Sequence, residues 1–468
     1  MSKRVLVVTY FFPPVGGVGV QRTLKYVTYL PKWGWEAIVV APRDPAFPVR
    51  DPSLMAALAP GLEVHRTASL EPGRLPSVAA RRLSRRKAAG AGGAPGAPGA
   101  PAVGGSAAVT TDLTASSARG SLPMRVLRKV SVVWNRIWAV LLFPDGSVAW
   151  MPFAVRAGLR ANRRRPVDAI YSSASPISAH LAAGLIKGRT HRPWVADFRD
   201  PWIGNPFAAP MSRPKRWLQR RMERWIVTRA DRVIVAVDAM RVQFEERYPE
   251  LAGKFVHIPN GYDRTDLIGI EPAPPPNPGG FHLLYAGSLY RPKELEAFLL
   301  GVERLLARRP DLRARLHVDF VGRVNDANAR AAAEFDTPER LGGVIGFEGF
   351  MPRQKALARM AGADALLQLM PDMAGAEIFV GGKLSEYLAF DRPIVAVMPR
   401  GEGRALVESL PTGIAADVEP GSVADALERL LDQTPAPAPA DPAGRFDRIN
   451  LAGELAAELD RVSAGAQG

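Results

Sequence analysis

Three glycine-containing turns stand where an apolar run meets an amphipathic segment. Gly16 and Gly17 follow RVLVVTYFF, Gly287 and Ser288 follow FHLLYA, and Gly381 and Gly382 precede KLSEYLAF. A glycine turn that opens a helix can present backbone N–H groups and the positive end of the helix dipole to a diphosphate. We interpret the turns as candidate phosphate-binding sites, and a conformational need for small residues is the alternative.

Charged side chains accompany the second and third turns. Arg291 and Lys293 come directly after the second turn, and both could neutralise a departing diphosphate. For Arg291, a solvated surface position is the alternative. Lys383 and Glu386 follow the third turn, and a carboxylate there could accept two hydrogen bonds from a ribose diol. We therefore predict that the second and third turns bind a nucleoside diphosphate.

Two carboxylates lie in the segment VADFRDPW, where a predicted strand ends. Ligands of open α/β sheets bind at the carboxyl ends of strands, so Asp197 and Asp200 are candidate catalytic residues. Either could orient or deprotonate an acceptor hydroxyl, and capping of the next turn is the alternative. The sequence has no Asp-x-Asp pair and its six histidines are scattered, so we expect no metal site.

The apolar runs around these motifs indicate two successive α/β domains. Runs with little polar alternation, joined by amphipathic segments, are typical of parallel strands covered on both faces. We predict an N-terminal domain over 1–265, a linker over 266–281, a C-terminal domain over 282–442 and a helix over 443–468 that crosses back to the first domain. The Gly-, Ala- and Pro-rich stretch at 82–120 is predicted to be a flexible insertion.

Composition and charge limit the classes of binding partner to be expected. The 468 residues carry a formal net charge of +15, which attracts phosphorylated substrates, anionic lipid or nucleic acid. Cysteine is absent, which excludes disulfides and thiolate chemistry and suits a reducing cytoplasm. No run reaches the roughly 20 apolar residues of a spanning helix. The basic amphipathic stretch over 124–165 is interpreted as a surface for anionic lipid, with an ordinary half-buried helix as the alternative.

The order of the motifs resembles that of retaining glycosyltransferases of family 4. The series comprises the first glycine pair, PNGYD (259–263), YAGSLYRPK (285–293), GFEGFMP (346–352), AD (363–364) and KLSEYLAFDRPI (383–394). By position, Lys293 matches the family's phosphate-binding lysine and Glu386 matches the ribose-binding second glutamate of its paired-glutamate motif. The chain departs from the family pattern at Ser288, Ile378 and Ser173, where the family commonly has arginine, the first glutamate and histidine.

The resemblance implies a GT-B fold, with two Rossmann-like doubly wound domains that face each other across a cleft. It implies a retaining hexosyltransferase that uses a UDP- or GDP-type nucleotide sugar without metal or other cofactor. FRDPW resembles a subset that acts on bacterial surface polysaccharides and lipid-linked sugars, so we expect a saccharide or lipid-linked acceptor. The expected location is the cytoplasm, peripheral to the inner face of the cell membrane.

Two other functions remain open from the sequence. A sugar-nucleotide epimerase of the same architecture would consume its donor without an acceptor. A basic polyanion-binding protein would account for the charge, but no recognised nucleic-acid-binding motif accompanies it, so nucleic acid is not expected as a partner.

Overall fold

The computed structural model describes residues 2–47, 49–70, 142–208, 210–289, 291–432 and 439–465. The predicted insertion at 82–120 and the part of the basic stretch before residue 142 lie outside the described residues. Among the described helices, none combines the length and apolar content needed to cross a bilayer.

The first sheet has seven parallel strands in the described residues, in the order β3-β2-β1-β4-β5-β6-β7. The strands are β1 (Lys3–Thr9), β2 (Trp35–Pro42), β3 (Glu63–Thr67), β4 (Ala169–Ala174), β5 (Trp194–Phe198), β6 (Arg232–Val235) and β7 (Phe255–His257). The helices in this part of the chain are α1 (Val18–Tyr29), α2 (Met151–Arg164), α3 (Ser178–Thr190), α4 (Arg213–Arg229) and α5 (Asp238–Arg247).

In the part of the chain that the structure describes, the second sheet has six parallel strands, in the order β10-β9-β8-β11-β12-β13. The strands are β8 (Phe281–Ala286), β9 (Leu316–Val321), β10 (Ile345–Gly349), β11 (Ala365–Leu369), β12 (Ile394–Val397) and β13 (Gly413–Ala416). The accompanying helices are α6 (Pro292–Arg308), α7 (Asp326–Phe335), α8 (Arg353–Gly362), α9 (Gly382–Tyr387), α10 (Glu402–Ser409) and α11 (Pro420–Asp432).

Both faces of the first sheet are buried because its central strands are apolar on both sides. On one face, Leu6 of β1 belongs to a core with Trp150 and Trp194. On the other, Val5 packs in a core that includes Leu455 of the last helix, α12 (Arg448–Gly465). A helix that follows the whole second domain in sequence therefore completes the core of the first.

The strand orders create a topological switch point in each sheet, between β1 and β4 and between β8 and β11. Open α/β sheets bind ligands beside such points, outside the carboxyl ends of the strands. The glycine turn after β1 and the one after β8 both leave strands at a switch point. The predicted class of two Rossmann-like doubly wound domains is confirmed.

Candidate functional site

Gly16 and Gly17 form the turn that opens α1. Gly17 has a φ of +97°, a region that residues with side chains rarely adopt. The Gly16 N–H donates to the Val49 carbonyl oxygen at 3.1 Å, and a methyl group on Gly16 would lie 2.9 Å from Asp51 Cβ. Backbone geometry alone therefore requires glycine at both positions, and a phosphate contact there stays a prediction.

The turn at Gly287 and Ser288 is held against neighbouring strand ends. The Gly287 N–H donates to the Val321 carbonyl oxygen at 2.8 Å, and the Tyr285 hydroxyl donates to the Ser288 carbonyl oxygen at 2.9 Å. Because the Gly287 N–H already has an acceptor, the case for a phosphate site here rests on the cations that follow the turn.

Those cations, Arg291 and Lys293, lie at the start of α6 with exposed side chains. Lys293 Nζ is 3.3 Å from Asp372 Oδ2 in the segment after β11, and 66% of the lysine side chain is accessible. Within the described chain, Arg291 forms no salt bridge. A solvated ion pair of this kind contributes little to stability, so Lys293 can exchange Asp372 for a phosphate at small cost.

The third glycine turn leads into α9, which is fixed by its buried tyrosine. Gly381 is the N-cap residue of α9 and Gly382 is its first residue. The Tyr387 hydroxyl accepts a hydrogen bond from the Ala286 N–H at 2.8 Å and donates one to the Leu367 carbonyl oxygen at 3.1 Å. These bonds attach α9 to β8 and β11, the two strands at the switch point, and so position the preceding residue, Glu386.

Glu386 carries an ionised carboxylate between two cations. Its Oε2 accepts a hydrogen bond from Lys383 Nζ at 2.7 Å, and its Oε1 accepts one from Arg353. Burial alone would raise the pKa of Glu386, but Lys383 and Arg353 lower it to about 2. The carboxylate is therefore a pure hydrogen-bond acceptor at neutral pH, which suits the hydroxyl groups of a ribose.

Arg353 is a site residue that sequence reasoning missed. It is the first residue of α8 and directly follows the motif GFEGFMP. Its Nη2 donates to Asp266 Oδ2 at 2.9 Å while its Nη1 reaches Glu386. Burial would lower the pKa of Arg353, but Glu386 and Asp266 raise it above its usual value. The position of this arginine just after a family motif was the available signal.

A continuous set of ion pairs leads from α1 to α9, and we call it the interdomain ion-pair network. Lys25 Nζ of α1 lies 2.5 Å from both Asp263 and Asp266, which belong to the segment between the domains. Asp266 pairs with Arg353 of the second domain. The network comprises Lys25, Asp263, Asp266, Arg353, Glu386 and Lys383. It connects the helix after the first glycine turn with the predicted ribose site.

Asp197 is fully buried and paired. Its carboxylate accepts two hydrogen bonds from Arg22, at 2.9 Å from Nε and 3.0 Å from Nη2, and one from the Tyr171 hydroxyl at 2.5 Å. Arg22 is equally enclosed, with 3% of its side chain accessible. This geometry accounts for Asp197 as a structural anchor, and the predicted catalytic role for it stays a prediction.

Asp200 is half-buried, and its carboxylate has no hydrogen-bond partner within the described residues. Burial raises the pKa of Asp200, and the neighbouring Arg199 partly offsets this. Arg199 donates to the carbonyl oxygens of Ala174 and Ser175, each at 2.9 Å, and to that of Gly19, so the segment is fixed to the end of β4 and to the first turn of α1. Asp200 therefore lies in a segment that Arg199 holds in place, and the described residues leave its carboxylate without a hydrogen bond.

The histidines and acidic groups of the described chain show no metal-binding arrangement of three or more side chains. His180 is buried, and its Nδ1 is 2.8 Å from the Ser172 hydroxyl oxygen. Burial lowers the pKa of His180 to about 3, so its ring is neutral. His180 thus has the surroundings of a core residue.

Comparison with known proteins supports the fold. Residues 104–261 match a family model described as a glycosyl transferase 4-like domain, and this range includes Asp197 and Asp200. No curated protein matches the chain in sequence.

Solved structures match nearly the whole chain. Anabaena Alr3699/HepE in complex with UDP has a TM-score of 0.57 and 15% identity, and the match covers 98% of this chain and 100% of that chain. Sucrose-phosphate synthase from Thermosynechococcus elongatus has a TM-score of 0.58 and 13% identity, with coverages of 99% and 100%. The lipopolysaccharide outer core galactosyltransferase WaaB has a TM-score of 0.52 and 11% identity, with coverages of 99% and 100%.

At these identities, the structural likeness shows the fold. The two-domain architecture and its parallel strand orders agree with the GT-B fold predicted from the motifs. The chain therefore has the GT-B fold, and its residues 104–261 are similar to a glycosyl transferase 4-like domain.

Proposed function

We propose that the protein is a retaining glycosyltransferase that moves a sugar from a nucleotide-sugar donor to a saccharide or lipid-linked acceptor in cell-surface glycan synthesis. The GT-B fold and the glycosyl transferase 4-like domain support the transferase class. The HepE structures hold UDP and UDP-glucose, which favours a UDP-type over a GDP-type donor. The FRDPW motif and the likeness to a lipopolysaccharide galactosyltransferase support a surface-glycan acceptor. Work at the cytoplasmic side of the membrane is part of the same proposal.

The observation that carries the proposal is the state of Glu386. Its pKa of about 2 keeps it ionised, and it lies where the loops of the second sheet's switch point meet. Lys383 and Arg353 supply positive charge within hydrogen-bond distance of it. A nucleoside diphosphate offers a diol to the carboxylate and phosphates to the cations, so one ligand satisfies both halves of the cluster.

In the proposed reaction, the bond between the anomeric carbon and the diphosphate oxygen breaks, and the acceptor hydroxyl attacks from the same face. Negative charge grows on the leaving diphosphate, and Lys293, Lys383 and Arg291 are the cations that stabilise it, without a metal ion. The proton of the acceptor hydroxyl passes to Asp200 or to a leaving phosphate oxygen. Asp197 holds Arg22 and β5 in place behind this site.

Calorimetric titration with UDP, GDP, ADP and TDP, each with and without EDTA, tests the donor site. We expect one nucleoside diphosphate to bind regardless of EDTA, and we expect Glu386→Gln to weaken it roughly 10- to 100-fold through loss of charged hydrogen bonds. Glu303→Gln is the matched control, because Glu303 also pairs with an arginine of the second domain.

Failure of all four nucleotides to bind would overturn the donor site, and loss of binding in EDTA would overturn the metal-free mechanism. Product analysis with the preferred nucleotide sugar then tests transfer. Donor conversion to an isomer in the absence of any acceptor would show the epimerase instead.

A further inference from the structure

One face of α4 exposes an indole ring among arginines. Trp217 is 60% exposed and Leu218 is 40% exposed. The guanidinium of Arg221 lies 5.0 Å from the centre of the Trp217 ring. At the helical period, positions 213, 217, 220, 221 and 224 fall on one side of the helix. We call this side the α4 face: it consists of Trp217, Arg213, Arg220, Arg221 and Arg224, with Leu218 at its margin, all exposed.

The packing of α4 does not neutralise this face. The helix contains a single acid, Glu223, which is buried. Glu223 accepts hydrogen bonds from Arg247 at 2.6 Å and from the Tyr248 hydroxyl at 3.0 Å, so its charge is used inside the domain. Of the four arginines of the α4 face, only Arg224 forms an ion pair with another described residue, Glu250. The α4 face thus keeps a large unbalanced positive charge.

The described end of the basic stretch at 124–165 differs from α4. The helix α2 exposes Arg156, Arg160, Arg163 and Arg164, but it exposes no large apolar side chain. Cations without an apolar anchor are typical of a solvated helix, whereas cations around tryptophan and leucine suit the boundary between lipid headgroups and acyl chains.

The helix α4 packs beside the candidate acceptor site. The Gln219 amide donates to the Trp202 carbonyl oxygen at 2.7 Å, which attaches α4 to the FRDPW segment that contains Asp200. Just before α4, the Phe207 ring contacts the Phe379 ring of the second domain, with centroids 5.2 Å apart. The buried side of α4, which carries Gln219, therefore packs on the FRDPW segment, and the α4 face lies on the other side of the helix.

We propose that the α4 face binds an anionic lipid surface, with its arginines on headgroup phosphates and Trp217 and Leu218 in the interfacial layer. Charge complementarity selects anionic lipid as the partner, and the apolar pair selects a surface with an accessible hydrocarbon boundary. Membrane binding follows from the α4 face alone. Only its use, to bring a lipid-linked acceptor to Asp200, rests on the proposed function.

Co-sedimentation of the full chain with vesicles tests the proposal without any substrate. We expect binding to phosphatidylcholine vesicles that contain phosphatidylglycerol and little binding to phosphatidylcholine alone. The double variant Arg220→Glu with Arg221→Glu should lower the partition coefficient about tenfold or more, since each cation near such a surface contributes several-fold. Trp217→Ala should also lower the partition coefficient. Because this substitution removes an apolar contact and no charge, the loss should persist at high salt concentration.

The matched control is Arg156→Glu with Arg160→Glu, which makes the same charge change on α2 of the same domain. Equal losses in both double variants, or no vesicle binding by the wild type, would overturn the proposal. So would an α4 double variant that loses binding to a single-stranded oligonucleotide but keeps its vesicle binding, because the face would then serve nucleic acid. UDP titration of each variant in solution separates these results from a failure of the donor site.

Discussion

At the residue scale, Asp197 and Asp200 share one short segment but have opposite surroundings. Asp197 is enclosed and bonded to Arg22 and Tyr171, whereas Asp200 is half-buried and has no hydrogen-bond partner among the described residues. A buried ion pair that loses one partner leaves the other charge without compensation. Replacement by asparagine should therefore lower the stability of the protein at Asp197 and the transfer rate at Asp200.

Asp197→Asn is expected to destabilise the protein by about 3 kcal/mol, because Arg22 would keep its charge in a site with 3% exposure. Chemical denaturation measures this change. A free energy of unfolding within about 1 kcal/mol of the wild type would contradict the anchoring role, given the usual scatter of single substitutions.

Asp200→Asn is expected to lower the transfer rate by roughly 10²- to 10⁴-fold while stability and UDP affinity stay near wild type. Because burial raises the pKa of Asp200, the wild-type rate should fall on the acid side as the pH drops through that raised value. The pH profile of kcat should lose this acid limb in the variant. Asp391→Asn, an exposed change of the same kind, is the control, and an unaltered rate for Asp200→Asn would exclude Asp200 as the base.

Glu386 should make stability depend on pH. Its pKa in the fold is about 2, below its ordinary value of 4.5, so the ionised form stabilises the protein above 4.5 and loses this effect as the pH falls toward 2. The shift corresponds to roughly 3 kcal/mol at neutral pH. Denaturation of wild type and Glu386→Gln across this range should give a stability difference that shrinks with acid. A difference that does not change with pH would contradict the ion-pair network as its source.

At the scale of elements, α5 depends on the other domain for its cap. Its N-cap residue is Val237, which has no side-chain acceptor. Glu402 at the start of α10 instead accepts hydrogen bonds from the N–H groups of Asp238 at 3.0 Å and Ala239 at 2.9 Å. A carboxylate of the second domain thus compensates the positive end of a helix in the first.

Glu402→Ala is expected to destabilise the protein by about 1 kcal/mol, the usual effect of losing a helix cap. Hydrogen exchange of the amides at the start of α5 should quicken more than exchange elsewhere. Glu408→Ala on the same helix removes an exposed ion pair with Arg404 and should have a smaller effect. Equal effects of the two variants would show that the cap contributes nothing beyond surface charge.

The sequence predicts the central strands well because β1, β4, β5 and β8 are apolar on both faces. It does not predict the edge strands β3 and β7. The β3 segment EVHRT is mostly polar and half-buried throughout, and the β7 segment FVH has only three residues. The helix α7, DANARAAAEF, is missed because alanine gives it a weak apolar stripe.

The same division holds for the site. Lys293 and Glu386 can be predicted because each follows a recognisable local motif. Lys25, Asp266 and Arg353 cannot, because their roles come from pairings between positions that are remote in sequence and meet only in the fold. The α4 face is missed for a related reason, since its outer side is recognisable only once Glu223 is known to point inward.

At the scale of the whole molecule, α12, the last helix of the described residues, packs on the sheet that contains the first strand, β1. Leu451, Leu455 and Leu459 are buried against the first sheet, in the core that contains Val5 and Val7. Leu455→Ala is expected to destabilise the protein by about 2–5 kcal/mol, because it removes apolar contacts and leaves a cavity. Leu300→Ala on the exposed side of α6 should have little effect, and a loss at Leu455 no greater than at Leu300 would show that α12 contributes little to the first domain.

The packing of α12 on the first domain also determines when that domain can complete its folding during translation. The first sheet leaves the ribosome with one apolar face only partly covered, by α1, because the entire second domain is synthesised before α12. At a translation rate of about 5–20 residues per second, that face stays partly exposed for on the order of ten seconds or more before α12 is made. Over this interval, it is a binding surface for chaperones and a risk for aggregation. The nascent N-terminal domain therefore reaches its native core only after the second domain has been made.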